Sequence, residues 1–432
     1  MKSKINKVFE LLKNVAKPDD IKLLSKKINF QENRFKSNCH IHIPPNFSAF
    51  STVNEAVSKA AAENIQVLGA GNYYDYTVYA DFAGFSREKG IYPLFGLEII
   101  CLLDHLLQKG IRVNDPANPG KFYICGKSIT GFLKMSSRAK IILGKIRKSD
   151  SLRIREMSKR LGDVFEESGV NLRLTYDDIV EMIVQRHACS KNIVYLQERH
   201  IAQAYQKMLF ERIKKTDRRS ILENIFGTPS KNPDNEVVVQ NEIRTHLLKN
   251  GKPAFVPETF ISFDEAYELI VELGGIPCYP VLADGASPVC EYEAQVDNLI
   301  EDLFSRRIYA VEFIPFRNKP EVLNKYVSAM REAGFLVTAG TEHNTLDMLP
   351  IEPQCAGGAQ IPEKIKNIFC EGACVLTAHQ YLSLNTRIGF VDDRGELNRN
   401  YRNLHELIAQ FSAIGAAIIK RYKEKYPSTQ GA

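Results

Sequence analysis

Two histidines one residue apart, His40 and His42 in NCHIHIPPNFSAFS, are the first side chains of this sequence whose types and spacing suit chemistry. Alternate side chains of a strand share a face, so both imidazoles point one way and Ile41 the other. Two imidazoles from one strand are a common beginning of a transition-metal site. Farther along, Glu98 interrupts the apolar run LFGLEII. A carboxylate in such a run is costly unless it meets a partner or a cation. A buried salt bridge and a metal ion both satisfy that condition. A third stretch, GTEHN, sets Glu342 beside His343 and Asn344. Acid next to imidazole suits either metal ligation or proton transfer.

These residues need elements to hold them. CHIHI reads as a strand, TVNEAVSKAAAEN as a helix, and IQVLGAG as the next strand. The helix TVYADFAGFSREKG and the strand IYPLFGLEIICLL follow. The pattern resumes at ISFDEAYELIVELGG, where Ser262 and Glu265 form a capping-box signature. Strand IPCYPVLA, helix YEAQVDNLIEDLFSRR, strand YAVEFIPF, helix KPEVLNKYVSAMREAGF and strand LVTAGTEH complete it, with Pro320 at a helix start. Strands alternating with helices of this length indicate a parallel sheet or a β/α barrel. In a barrel, active groups gather at the C-terminal strand ends, where these candidates fall. The alternation breaks at 134–256, which reads as an all-helical insertion beginning with a basic stretch. The expected organisation is an amphipathic helical extension over 1–35, barrel segments over 36–133 and 257–395, and a C-terminal helix and tail over 396–432. In the extension Ile5, Val8, Phe9, Leu11, Leu12 and Val15 lie on or near one side.

Composition narrows the class. Of 432 residues, 44% are hydrophobic and 25% charged, as in globular proteins, and no apolar run is long enough to span a membrane. The nine cysteines form no CxxC pair, which reads as reduced thiols in a cytoplasmic protein. A net charge of +6 permits a small anionic substrate without requiring nucleic acid. No Gly-rich phosphate loop precedes a helix.

The order HxH, GLE, GGIPCYP and AGTEHN resembles the PHP domain, named for polymerases and histidinol phosphatase. The lead-in FVPETFISFDEAYELIVELGGIPCYP is similar to that family's approach to its AHP motif. ERHIAQAY in the insertion is similar to the RPHIARAL segment of the nucleotide- and RNA-cleaving branch. The resemblance implies a distorted seven-stranded β/α barrel with divalent ions at its strand ends, and phosphoester hydrolysis by metal-activated water. Carried over, His40 and His42 match the first ligands, Glu98 the bridging glutamate, and Glu342 the aspartate of GSDxH. His200 matches the histidine of RPHIA, near the substrate phosphate. This gives His40, His42, Glu98 and Glu342 as metal ligands, for one or two ions of zinc, manganese or iron. Glu98, Glu342 and His343 become the catalytic candidates. Nucleic acid as a substrate rests on this resemblance alone.

The departures concern the remaining ligands. Gly71-Asn72-Tyr73 stands in place of TDH, Tyr279 replaces the histidine of AHP, and Tyr123 stands where a histidine is frequent. The last motif ends in Asn344, and no acid follows the first histidine pair. Asn72, Tyr73, Tyr123, His200, Tyr279 and Asn344 are therefore the expected substrate-binding residues. Two alternatives to hydrolysis follow: a scaffold that binds a small molecule at a degenerate site, or sugar-type chemistry. His379 in VLTAHQYL is placed at a strand end or in the core, and Lys127 near a phosphate or in solvent.

Overall fold

A computed structural model describes residues 2–28 and 34–428, and the Ile5 side chain lies outside the described residues. Among the described residues there are nine strands: β1 Lys36–Ile41, β2 Ile65–Ala70, β3 Tyr92–Phe95, β4 Leu97–Leu102, β5 Lys121–Lys127, β6 Ile261–Ser262, β7 Ile276–Val281, β8 Ala310–Phe313 and β9 Leu336–Ala339, of which all but β5 and β6 overlap the runs read as strands. They make two sheets, ordered β1-β2-β3 and β6-β4-β5-β7-β8-β9. The first is parallel throughout. In the second, β5 runs antiparallel to both neighbours while β4–β6, β7–β8 and β8–β9 are parallel.

This differs from the expected distorted seven-stranded β/α barrel in two respects. The run IYPLFGLEIICLL is not one strand: it breaks at Gly96, whose N–H donates to the Ala70 carbonyl at 2.7 Å. A Cβ there would lie 3.0 Å from the Gly126 carbonyl oxygen and 3.1 Å from that of Ala70, so any larger residue would crowd the passage between the sheets. The ladder also does not run continuously around the described strands. Instead β1 meets the segment after β9 through an isolated bridge, Ile41 with Glu342. Here the His42 N–H donates to the Glu342 carbonyl at 2.6 Å, and the Glu342 N–H to the His40 carbonyl at 2.9 Å. The first and last motifs of the sequence are thereby joined.

Helices cover the sheets. The helix Phe263–Glu272 begins with the Ser262–Glu265 capping box, and Pro320 opens the helix Pro320–Glu332. The N-terminal helix Lys2–Lys13 buries Val8 and Leu12 and sets Phe9 against Phe95 and Phe132. The helices Ser137–Glu167, Tyr176–His187, Glu198–Arg212, Arg218–Phe226 and Glu236–Ile243 have an apolar cluster of their own, which includes Ile154, Phe165, Tyr205 and Ile243. All nine cysteines are free thiols. No described helix is long and apolar enough to cross a membrane.

Candidate metal centre

Three buried atoms converge at the end of β1. Glu98 Oε2 lies 3.5 Å from His40 Nε2 and 3.3 Å from His42 Nε2. None of the three makes a hydrogen bond. The residues are 2%, 0% and 6% exposed for His40, His42 and Glu98, so water does not compensate them. The outer ring nitrogens explain what faces inward. His40 Nδ1 donates to Glu312 Oε1 at 2.6 Å, and His42 Nδ1 donates to Asn46 Oδ1 at 3.2 Å. Both imidazoles are thus held with the proton outside and the Nε2 lone pair inside. Three electron-rich atoms pointed together are repulsive without a cation between them. Ligand bonds of about 2.0–2.1 Å in tetrahedral array place donor atoms about 3.3–3.4 Å apart, close to the 3.3 and 3.5 Å from Glu98 Oε2 to the two imidazoles. These residues fit a divalent ion.

The alternation of β1 supplies this geometry, since Ile41 between the two histidines is fully buried on the opposite face. Two glycines let His40 sit where it does. A Cβ on Gly71 would lie 2.5 Å from His40 Nε2, and one on Gly340 would collide with His40 Cβ. Behind His40, the fully buried Glu312 joins Lys127 Nζ at 2.6 Å. Burial pushes the Glu312 carboxyl up, but Lys127 and then His40 outweigh it and hold the group below the usual carboxylate range. Lys127 is therefore neither a phosphate contact nor a solvated lysine. It is the counter-ion of Glu312. Sequence reasoning missed Glu312, although an acid inside the apolar strand AVEF is the same signal that singled out Glu98.

Tyr73 and Glu98 form the next part of the site. The Tyr73 ring stacks on His42 at 5.1 Å, and its hydroxyl donates to Glu98 Oε1 at 2.8 Å. Burial, followed by the charge of Glu98, pushes the phenol well above its ordinary value, so it stays a donor. Tyr123 lies close enough to Tyr73 and Glu98 for the three to perturb one another.

Glu342 is adjacent but differently occupied. Its Oε2 accepts from Arg317, and from Asn344 Nδ2 at 2.7 Å. It falls outside the group of His40, His42 and Glu98, whose ligand atoms lie within 4.8 Å of one another. Burial raises the carboxyl, and Arg317 is the largest of the charges that together bring it below its usual range. Arg317 had no signal in the sequence pattern.

Three expected site residues are committed to the fold, and a fourth, His200, through Nδ1 only, its buried Nε2 having no hydrogen bond. His343 accepts at Nδ1 from the Thr341 hydroxyl and donates from Nε2 to the Leu349 carbonyl, so it has no free ring nitrogen. The Asn72 amide is spent on both backbone groups of Ile43. Tyr279 is fully buried and donates to Glu293 at 2.7 Å, because its neighbour Cys278 takes the strand face toward Lys127 and Glu312. His200 caps its own helix, with Nδ1 accepting from the Gln197 N–H at 3.0 Å, and burial pushes the imidazole down to about 3. His379 lies not at a strand end but in the helix Glu363–Leu384, with both ring nitrogens bonded to backbone groups.

The helical region nevertheless reaches the centre. Gln197 Oε1 accepts from Asn46 Nδ2 at 2.6 Å and from the Phe47 N–H at 2.9 Å. Asn46 in turn fixes His42. Arg199, two residues on, lies over the Phe47 ring and near Tyr73 and Glu342. Arg153 instead bonds the Val256 carbonyl and pairs with Glu258, and Arg155 pairs with Asp177.

No family model matches this chain, and no curated protein matches it in sequence. Its fold is similar to the crystal structure of a protein described as a metal-dependent phosphoesterase from Bifidobacterium adolescentis. That alignment has 13% identity and a TM-score of 0.50 over 77% of this chain and 95% of the other. An amidohydrolase from Chromobacterium violaceum, with bound sulfate and no metal, aligns at 15% identity and a TM-score of 0.49 over 77% and 96%. The first likeness gives the fold alone, a mixed α/β arrangement.

Proposed function

We propose that this chain is a metal-dependent phosphoester hydrolase of the PHP kind, acting on a small anionic substrate in the cytoplasm. The observation that carries the reading is the convergence of His40 Nε2, His42 Nε2 and Glu98 Oε2, all buried and all without a hydrogen bond. Zinc, manganese or iron would be held by these three side chains. When bound, such an ion supplies a Lewis acid that polarises a phosphoryl oxygen and activates water. The chain's own residues supply the rest. Glu312 and Asn46 orient the two imidazoles. Tyr73 steadies Glu98 through one oxygen and leaves the other free. Residues 134–256 act as a cap, since Gln197 clamps the loop that follows β1.

A second reading has an observation of its own. Asn72 and Tyr279, at the positions of two customary ligands, are turned to structural partners. That favours a scaffold that binds a metal and a small molecule without hydrolysis, or one with sugar-type chemistry. Assay of manganese- or zinc-loaded protein on p-nitrophenyl phosphate and bis-p-nitrophenyl phosphate separates these readings. Hydrolysis that disappears in the His40→Ala/His42→Ala protein supports the hydrolase. Metal-loaded, folded protein that leaves both esters intact supports the second reading.

A further inference from the structure

The centre has two carboxylates but one set of free donor atoms. Glu98 Oε1 is taken by the Tyr73 hydroxyl, so only Oε2 remains for an ion. Glu342 Oε2 is taken twice, by Arg317 and by Asn344. His343 and Asn72 have spent their side-chain groups on the fold. Apart from Glu98 Oε2, only Glu342 Oε1 among these groups is not taken by one of these bonds, and a single carboxylate oxygen does not make a second ion's shell.

The backbone holds Glu342 in this role. Glu342 and His343 both adopt left-handed conformations, with φ of 58° and 51°. Non-glycine residues rarely do so without surrounding structure to enforce it. Here the enforcement is the pair of backbone hydrogen bonds that ties Glu342 to His40 and His42. The carboxylate is therefore fixed beside the metal candidates, and what it presents to them is a guanidinium. The Arg317 side chain is 29% exposed, against 12% for that of Glu342. The Arg317 side chain is thus the more open to solvent of the two.

A phosphoryl group spreads its charge over several oxygens, and two positive centres clamp it better than one. A guanidinium can be one of them, through paired N–H donors that match phosphate geometry. We infer that the centre takes a single divalent ion, at His40, His42 and Glu98, and that Arg317, anchored by Glu342, is the second positive centre and holds the substrate's phosphoryl group. Glu342 is then a positioning residue and not a ligand. This rests on the metal-site reading given above.

The test measures two quantities. Bound manganese is counted by atomic emission after dialysis against a defined free concentration, and inorganic phosphate binding to the loaded protein is followed by calorimetry. Wild type should hold one equivalent. Arg317→Ala and Glu342→Gln should keep that equivalent and bind phosphate at least tenfold more weakly, with Arg317→Lys recovering part of the loss. Arg317→Gln replaces Arg317→Ala if the latter does not fold. Two equivalents in wild type overturn the inference. So does metal loss in Glu342→Gln as complete as in Glu98→Gln, or unchanged phosphate affinity without Arg317. Wild type that binds no manganese contradicts the metal site itself, which is a separate failure.

Discussion

Two buried carboxylates flank His40, and they are finished differently. Glu312, behind the ring, has one oxygen on His40 Nδ1 and the other on Lys127, both at 2.6 Å. Glu98, in front, bonds Tyr73 through one oxygen and leaves the other facing two imidazole lone pairs. The rear pair is complete within the chain. The front group is complete only with something added. Buried polar groups in folded proteins nearly always find partners, so the difference between the two sides separates scaffold from site.

The comparison breaks most visibly on its rear side. Glu312→Ala leaves a lysine charge buried and unpaired, and should cost about 3–5 kcal/mol of unfolding free energy in urea denaturation. Glu98→Gln removes no charge partner of that kind, and the metal-free protein should lose much less. Equal losses in the two variants would show that the front carboxylate is as structural as the rear one.

Asn46 tests the same division more finely. It touches no ion site directly, but its Oδ1 fixes the His42 tautomer and its amide ties that loop to Gln197. Groups that orient metal ligands are typically worth 10–100-fold in metal affinity. Asn46→Ala should weaken manganese or zinc binding by about that factor, read by competition with a chromogenic chelator. Unchanged affinity would remove Asn46 from the centre.

The smallest effect concerns a histidine that is wholly scaffold. Burial pushes His379 down to about 4, while an unfolded chain keeps its imidazole near about 6.5. Between those values the unfolded state takes up a proton that the native state refuses. Stability should therefore fall as pH drops from about 6.5 toward 4. Denaturation curves across that window should show a shallower fall for His379→Gln. An identical slope would mean that His379 does not titrate on unfolding.

The parts of the site legible in the sequence are those governed by local rules. Strand alternation put His40 and His42 on one face, and an acid in an apolar run marked Glu98. Glu312 obeyed the second rule equally well and went unnoticed because no motif surrounded it. Other errors arose where register and topology decide. Tyr279 turns away because β7 gives its inner face to Cys278, and no periodicity within IPCYPV reveals which face is inner. The break at Gly96 and the reversal of β5 depend on sheet contacts, so a run that looked like one strand became two. VLTAHQYL shows the ambiguity of short apolar runs: it belongs to a helix of 22 residues. The side-chain partnerships of Asn72, His343 and Arg317 are long-range, and sequence spacing carries no trace of them.

The most direct test of the account is the metal content of the purified protein after exposure to zinc, manganese and iron in turn. The account predicts about one equivalent of at least one of these ions, absent from a His40→Ala/His42→Ala protein that still unfolds cooperatively. Wild-type protein that is folded and takes up none of the three would contradict it.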